Sequence, residues 1–146
     1  KITGKEFDND VIILWPKGII SIEIKNISGT YDFIGGEVYK YEWHGWGDCM
    51  CRLNERNSPT SEIIRHSLVL ERWLEKSGYG GIRIKKAILM VGDRFLINKR
   101  ENPVVYVITG LDNLDEYIQG SYEDPRFTSL EFRQELTQFF GNKYLK

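Results

Sequence analysis

The chain has 146 residues, 41% of them hydrophobic, enough for one domain with a sizeable core. Its 20 basic and 21 acidic residues give a formal net charge of -1, so bulk charge does not mark a nucleic-acid binder, and any phosphate contact must come from a local patch. No run of about 18 apolar residues occurs and no signal peptide precedes the first strand, which leads to the expectation of a soluble, cytoplasmic domain. Cys49 and Cys51, the only cysteines, match neither a disulfide framework nor a zinc-site spacing. They read as small apolar fillers in a reducing compartment.

The chain begins Lys1-Ile2-Thr3, without methionine, and a strand follows almost at once. The expectation is a piece of a longer product, with room for a missing upstream covering helix. Val11 to Leu14 and Ile19 to Ile24 read as strands, rich in β-branched residues and joined by the turn Pro16-Lys17-Gly18. From Asn26 to Asn57 the sequence is rich in Gly, Tyr and Trp, and Glu37 to Trp43 alternates as a half-exposed strand does. Ser58 as cap and Pro59 in the first turn start a helix that runs to about Lys76 and stops at Gly78. Arg83 to Val91 and Val104 to Ile108 read as strands joined by a charged loop containing Asn98 to Asn102. Leu111 to Gln119 and Ser129 to Phe140 read as helices. This alternation, without a repeat, predicts an α/β domain on a mixed sheet.

Two segments carry charge where burial is expected. In the second strand Glu23 and Lys25 share one face while Ile22 and Ile24 share the other. An unpaired buried charge is costly, so the pair must neutralise itself, bind something or border a cleft. The turn can fold Asp10 back toward Glu23. On a helical wheel, Ile63, Leu70 and Leu74 form the core face of the 59–76 helix; Glu62, His66 and Trp73 lie beside it, whereas Arg65, Glu71, Arg72 and Glu75 project elsewhere. Glu62 and His66 thus aim at the edge of the core.

Asp10-(x12)-Glu23-x-Lys25, with Gly18 in the turn, resembles the core of PD-(D/E)XK nucleases. The run Asp10 to Asn26, with Pro16-Lys17-Gly18 and Lys25-Asn26, is similar more narrowly to the nuclease-related domain (NERD) family. That family's helix pattern, Asn-Pro-x-x-Gln-x-x-x-His, is met by Ser58 to His66 with proline and histidine in register; Ser58 replaces the asparagine and Glu62 the glutamine. The likeness extends over about residues 8 to 119. It implies a restriction-endonuclease-like fold and metal-dependent cleavage of phosphodiesters, DNA above all. Asp10, Glu23 and the Ile24 carbonyl would hold Mg²⁺ or Mn²⁺, Lys25 would position or activate water and offset phosphate charge, and Glu62 would add a ligand or hold a water. His66 would contact phosphate or orient Glu62.

Each residue also has a plainer reading. Glu23 and Lys25 could form an ordinary ion-pair set, and Asp10 could be a turn residue, with Asp8 on the same face; register with Gly18 favours Asp10. His66 could be a satisfied core-edge histidine. Tyr41, Trp43 and Trp46 could stack on bases or simply pack. Lys85, Lys86, Arg94, Lys99 and Arg100 make 83–100 the most basic stretch, with Lys85 and Lys86 as substrate contacts; the plainer reading is a solvated strand end, since Asp93 and Glu101 dilute the charge.

The whole points to one restriction-endonuclease-like α/β domain over 1–146, with a core at about 8–119 and a helical extension at about 120–146. Its function reads as a nuclease using Asp10, Glu23, Lys25 and Glu62. The rival reading is a degenerate module that binds nucleic acid or protein without cutting. A nucleotide- or sugar-phosphate-binding enzyme ranks last, because no glycine-rich phosphate loop is present.

Overall fold

The computed structural model describes residues 9–120 and 123–144. Asp8 and the opening Lys1-Ile2-Thr3 lie outside them, as do parts of the 120–146 extension. β1 (Val11–Trp15) and β2 (Gly18–Lys25) form an antiparallel hairpin in which Pro16 and Lys17 connect Trp15 to its partner Gly18. On its other side β2 pairs in parallel with β6 (Ile84–Met90), and β6 with β8 (Tyr106–Ile108), giving a sheet in the order β1-β2-β6-β8.

A second sheet was not expected. β3 (Gly29–Ile34), β4 (Glu37–His44), β5 (Gly47–Arg52) and β7 (Phe95–Glu101) assemble in the order β5-β4-β3-β7. β4 matches the alternation seen in the sequence. The segment expected as a charged loop around Asn98 is instead strand β7, parallel to β3 with an irregularity between Tyr31 and Asp32. An edge strand facing solvent can carry Asn98, Lys99, Arg100 and Glu101, so its composition reads as loop while its backbone pairs. Asp32, 4% exposed in the middle of β3, hid that strand as well; its Oδ1 accepts a 3.0 Å bond from Asn98 Nδ2.

Cys49 and Cys51 also differ from expectation. They are joined as a disulfide within β5, not left as separate apolar fillers. Alternate residues of a strand project from one face, and their Cα separation of 5.7 Å lies in the range a disulfide spans. The cysteines therefore give no argument for a reducing compartment.

The helix α1 (Pro59–Lys76) forms as its sequence predicts. Ser58 Oγ accepts from the Ser61 N–H, Pro59 occupies the first turn, and Gly78, with φ +92°, follows the C-terminus. Leu70, Trp73 and Leu74 pack with Ile19 and Ile84 of the first sheet and with Leu136 and Phe140 of α3 (Leu130–Tyr144). Trp73 stacks on Phe139 at 4.2 Å between ring centroids, which draws the C-terminal helix into this core. Farther along the same face of the first sheet, Ile88 and Met90 meet Ile63 and the inner face of the second sheet through Tyr31, Phe33 and Val38. The opposite face, with Ile20, Ile22, Ala87 and Ile108, is covered by Leu114, Tyr117 and Ile118 of α2 (Leu111–Gln119). Glu71, placed away from the sheet by the wheel, in fact reaches it and accepts a 3.1 Å bond from the Ile84 N–H. Among the described residues no helix is long and apolar enough to cross a membrane.

Candidate metal and acid–lysine site

β2 alternates Ile19, Ser21, Glu23 and Lys25 toward α1, and Ile20 and Ile22 toward α2. The apolar residues on both faces hold the strand in the interior, so Glu23, only 3% exposed, is carried there by its neighbours. The first turns of α1 bring Glu62 and His66 to the same place. Among the described residues, one ligand atom from each of Glu23, Glu62 and His66 lies within 4.8 Å of the other two.

The contacts within the cluster are specific. Lys25 Nζ is 2.5 Å from Glu62 Oε2 and 3.5 Å from Glu23 Oε1, so one ammonium bridges both acids. His66 Nδ1 lies 3.4 Å from Glu23 Oε2. Asp10 precedes β1 at the edge of the hairpin, and its Oδ2 accepts a 2.8 Å bond from the Ile24 N–H. The carboxylate thereby closes the β1–β2 ladder and is held beside Glu23.

Electrostatics follow from this crowding. Burial, then the charges of Glu62 and Asp10, push the Glu23 carboxyl up to about 7 against the opposing pull of Lys25. For Lys25 burial works against the charged form, but the hydrogen bond and charge of Glu62, followed by those of Glu23, outweigh it and raise its pKa. Two further acids, Glu62 and Asp10, and one lysine thus act on Glu23. With all four groups ionised, two negative charges are left over, and the donors are carboxylate oxygens and an imidazole. Such a set suits a hard divalent cation.

The two remaining basic residues go elsewhere. As neighbours on β6, Lys85 and Lys86 face opposite sides of the sheet. Lys85 Nζ lies 5.6 Å from the Tyr117 ring on the α2 side, its pKa lowered by burial and by Lys17. Lys86 donates to the Ile84 carbonyl and sits 4.0 Å from Glu71. Neither joins the acid cluster.

The structure adds residues that the sequence did not single out. Lys40 and Glu42 of β4, with Tyr31 and Asn57, line a cavity of about 350 Å³ that opens beside Lys25. The period of β4 was the available signal, since Lys40 and Glu42 alternate with Tyr39, Tyr41 and Trp43. Asn9 also enters, its Nδ2 donating to the buried Ser21 Oγ at 2.5 Å. With Asp10, Ile12, Leu14, Thr137 and Phe140 it lines a second cavity, about 330 Å³, between β1 and α3.

Fold and site together define a mixed α/β domain with an acid–lysine–histidine cluster between a strand and the start of a helix. The family model of the nuclease-related domain, NERD, matches residues 1–91, and the chain belongs to that family. The match spans the Asp10 to Asn26 and Pro59 to His66 runs that carry the resemblance. No curated protein and no solved structure matches the chain.

Proposed function

We propose that this domain is a metal-dependent nuclease of restriction-endonuclease-like organisation that hydrolyses phosphodiester bonds in DNA. The observation that carries the reading is the convergence of Glu23, Glu62 and His66 ligand atoms within 4.8 Å while Lys25 bridges the two carboxylates. Asp10, Glu23 and the Ile24 carbonyl, joined by Glu62, would hold Mg²⁺ or Mn²⁺. When bound, the cation would polarise the scissile phosphoryl group and offset its developing charge.

The chain's own residues supply the rest. Release of the Lys25 ammonium from Glu62 would turn it toward the phosphate, where its charge is stabilising. Glu62, freed in the same movement, can accept a hydrogen bond from the attacking water. His66 holds the Glu23 carboxylate from the helix side and so fixes its orientation. Asp10 performs the matching task at the strand edge through Ile24. Packing of α3 on α1 supports treating residues 1–146 as one working unit. Lys85 and Lys86 act, in this reading, only as remote contacts to a long substrate.

Cleavage of end-labelled DNA in Mg²⁺ or Mn²⁺, compared with Lys25→Ala, tests the assignment. Metal-dependent cutting that falls roughly a hundredfold to a thousandfold in the variant is expected, the range of losses seen when a charge-stabilising group is removed. A folded, nucleic-acid-binding protein that cuts under neither metal would establish the rival reading, a binding module without catalysis. The short Lys25 to Glu62 contact is the observation that favours that rival, because an ion pair closed between strand and helix can be purely structural.

A further inference from the structure

The β4–β5 hairpin presents large rings to solvent: Trp43 is 72% exposed and Tyr41 43%. These aromatics do not serve as core packing. Val38, at the inner end of β4, is fully buried against the second core, and alternation from it places Lys40 and Glu42 on the inner face and Tyr41 and Trp43 on the outer one. The inner pair lines the cavity that also contains Lys25. The same strand therefore borders the acid cluster with one face and displays aromatic rings with the other.

Spacing says what the rings can hold. Residues two apart on a strand are separated by about 6.8 Å, twice the roughly 3.4 Å rise between successive bases of a nucleic-acid strand. One planar base therefore fits between a ring at position 41 and a ring at position 43, in contact with both. Asp48, the cross-strand partner of Trp43, hydrogen-bonds the Tyr41 hydroxyl and thereby fixes one wall of that gap. A base in a duplex has both faces covered by its neighbours and cannot enter.

We infer that Tyr41 and Trp43 clamp an unpaired base of a single-stranded nucleic acid, making the hairpin a selector for single strands. The inference rests on the nuclease reading for its choice of nucleic acid as the ligand, but the clamp is a binding device and can be tested without cleavage. Glu37, Glu42 and Asp48 outnumber Lys40 and Arg52 by one along the hairpin, so attraction there comes from stacking and not from charge.

The test is fluorescence anisotropy of the whole chain with a labelled oligothymidine and with a duplex of equal length, in a chelator that prevents cutting. The expected result is preference for the single strand, a loss of about tenfold or more in Trp43→Ala and in Tyr41→Ala, and recovery in Trp43→Phe, consistent with the usual contribution of one stacked base. Circular dichroism of each variant reports folding. Equal affinity for strand and duplex, or oligothymidine binding unchanged in both alanine variants, overturns the clamp. Failure to bind oligothymidine alongside binding to phosphatidylglycerol vesicles also overturns it and makes the hairpin a membrane contact. If DNA is cut in Mg²⁺ while the variants bind normally, the clamp fails and the nuclease reading stands. If Trp43-dependent binding occurs and nothing is cut, the clamp stands and the nuclease reading fails.

Discussion

Lys25 Nζ approaches Glu62 Oε2 on the facing helix at 2.5 Å, more closely than it approaches Glu23 of its own strand, at 3.5 Å. The ammonium is therefore shared between two walls of the site, and its primary partner is Glu62 on the helix. Replacing Glu62 by glutamine removes one negative charge and loosens the bridge. Affinity for Mn²⁺ should fall roughly tenfold to a hundredfold in Glu62→Gln, since a full charge within a few ångströms of a partly buried cation is worth at least 1.4 kcal/mol. Titration calorimetry on the two proteins measures this. Unchanged affinity would remove Glu62 from the ligand set.

Stability should depend on pH through Glu23. Its folded pKa of about 7 exceeds the ordinary 4.5, so between those values the folded chain holds a proton that the unfolded chain has lost. Stability from this group is accordingly full below about 4.5 and declines as pH rises toward 7, by about 3 kcal/mol in all. Urea unfolding in chelator at pH 5 and at pH 8 should show the decline, and Glu23→Gln should flatten it. A divalent cation binds the ionised form, so its stabilising effect should be larger at pH 8 than at pH 5. An equally steep decline in the glutamine variant would assign the effect to another group.

Asp10 has a structural task that is separable from any catalytic one. Its carboxylate accepts the Ile24 N–H next to Glu23, so Asp10→Ala should leave that donor without its partner and loosen the start of β1. The expected cost is about 1–2 kcal/mol by urea unfolding. Asp10→Asn retains an acceptor and should recover most of that stability while still losing metal-dependent activity. Equal loss of stability in both variants would mean that charge, not the hydrogen bond, holds the strand edge.

What could be seen in the sequence follows from how local each signal is. Helix α1 was legible from Ser58, Pro59 and Gly78, whose effects act within a turn of where they sit. The placement of Glu23 and Lys25 on one face, and of Glu62 and His66 one turn apart, required only the two backbone periods. The same reasoning places Lys85 and Lys86 on opposite faces of β6, since adjacent strand residues alternate. The second sheet was illegible for a different reason. β7 is polar and lies at an edge, and Asp32 in β3 is tolerated only because Asn98, 66 positions away, hydrogen-bonds it. No local pattern announces such a partner.

Gly92, just beyond β6, offers a test of how tightly the site's backbone is set. Its φ of +93° is a conformation that favours glycine, and a Cβ added there would lie 2.9 Å from Asn26 Oδ1. Asn26 directly follows Lys25, and the Lys25 carbonyl accepts the Val91 N–H at 2.9 Å, so strain at Gly92 is transmitted to the lysine. Gly92→Ala should cost about 1–3 kcal/mol, the range for a non-glycine residue held in this region. Adding Asn26→Ala removes the steric part but leaves the backbone part, so the double variant should be less destabilised than the sum of the two single ones. Denaturant unfolding of the four proteins of this cycle gives the coupling directly. Strict additivity would show that Asn26 turns away from Gly92 without cost, and that the end of β2 is held by its main-chain bonds alone.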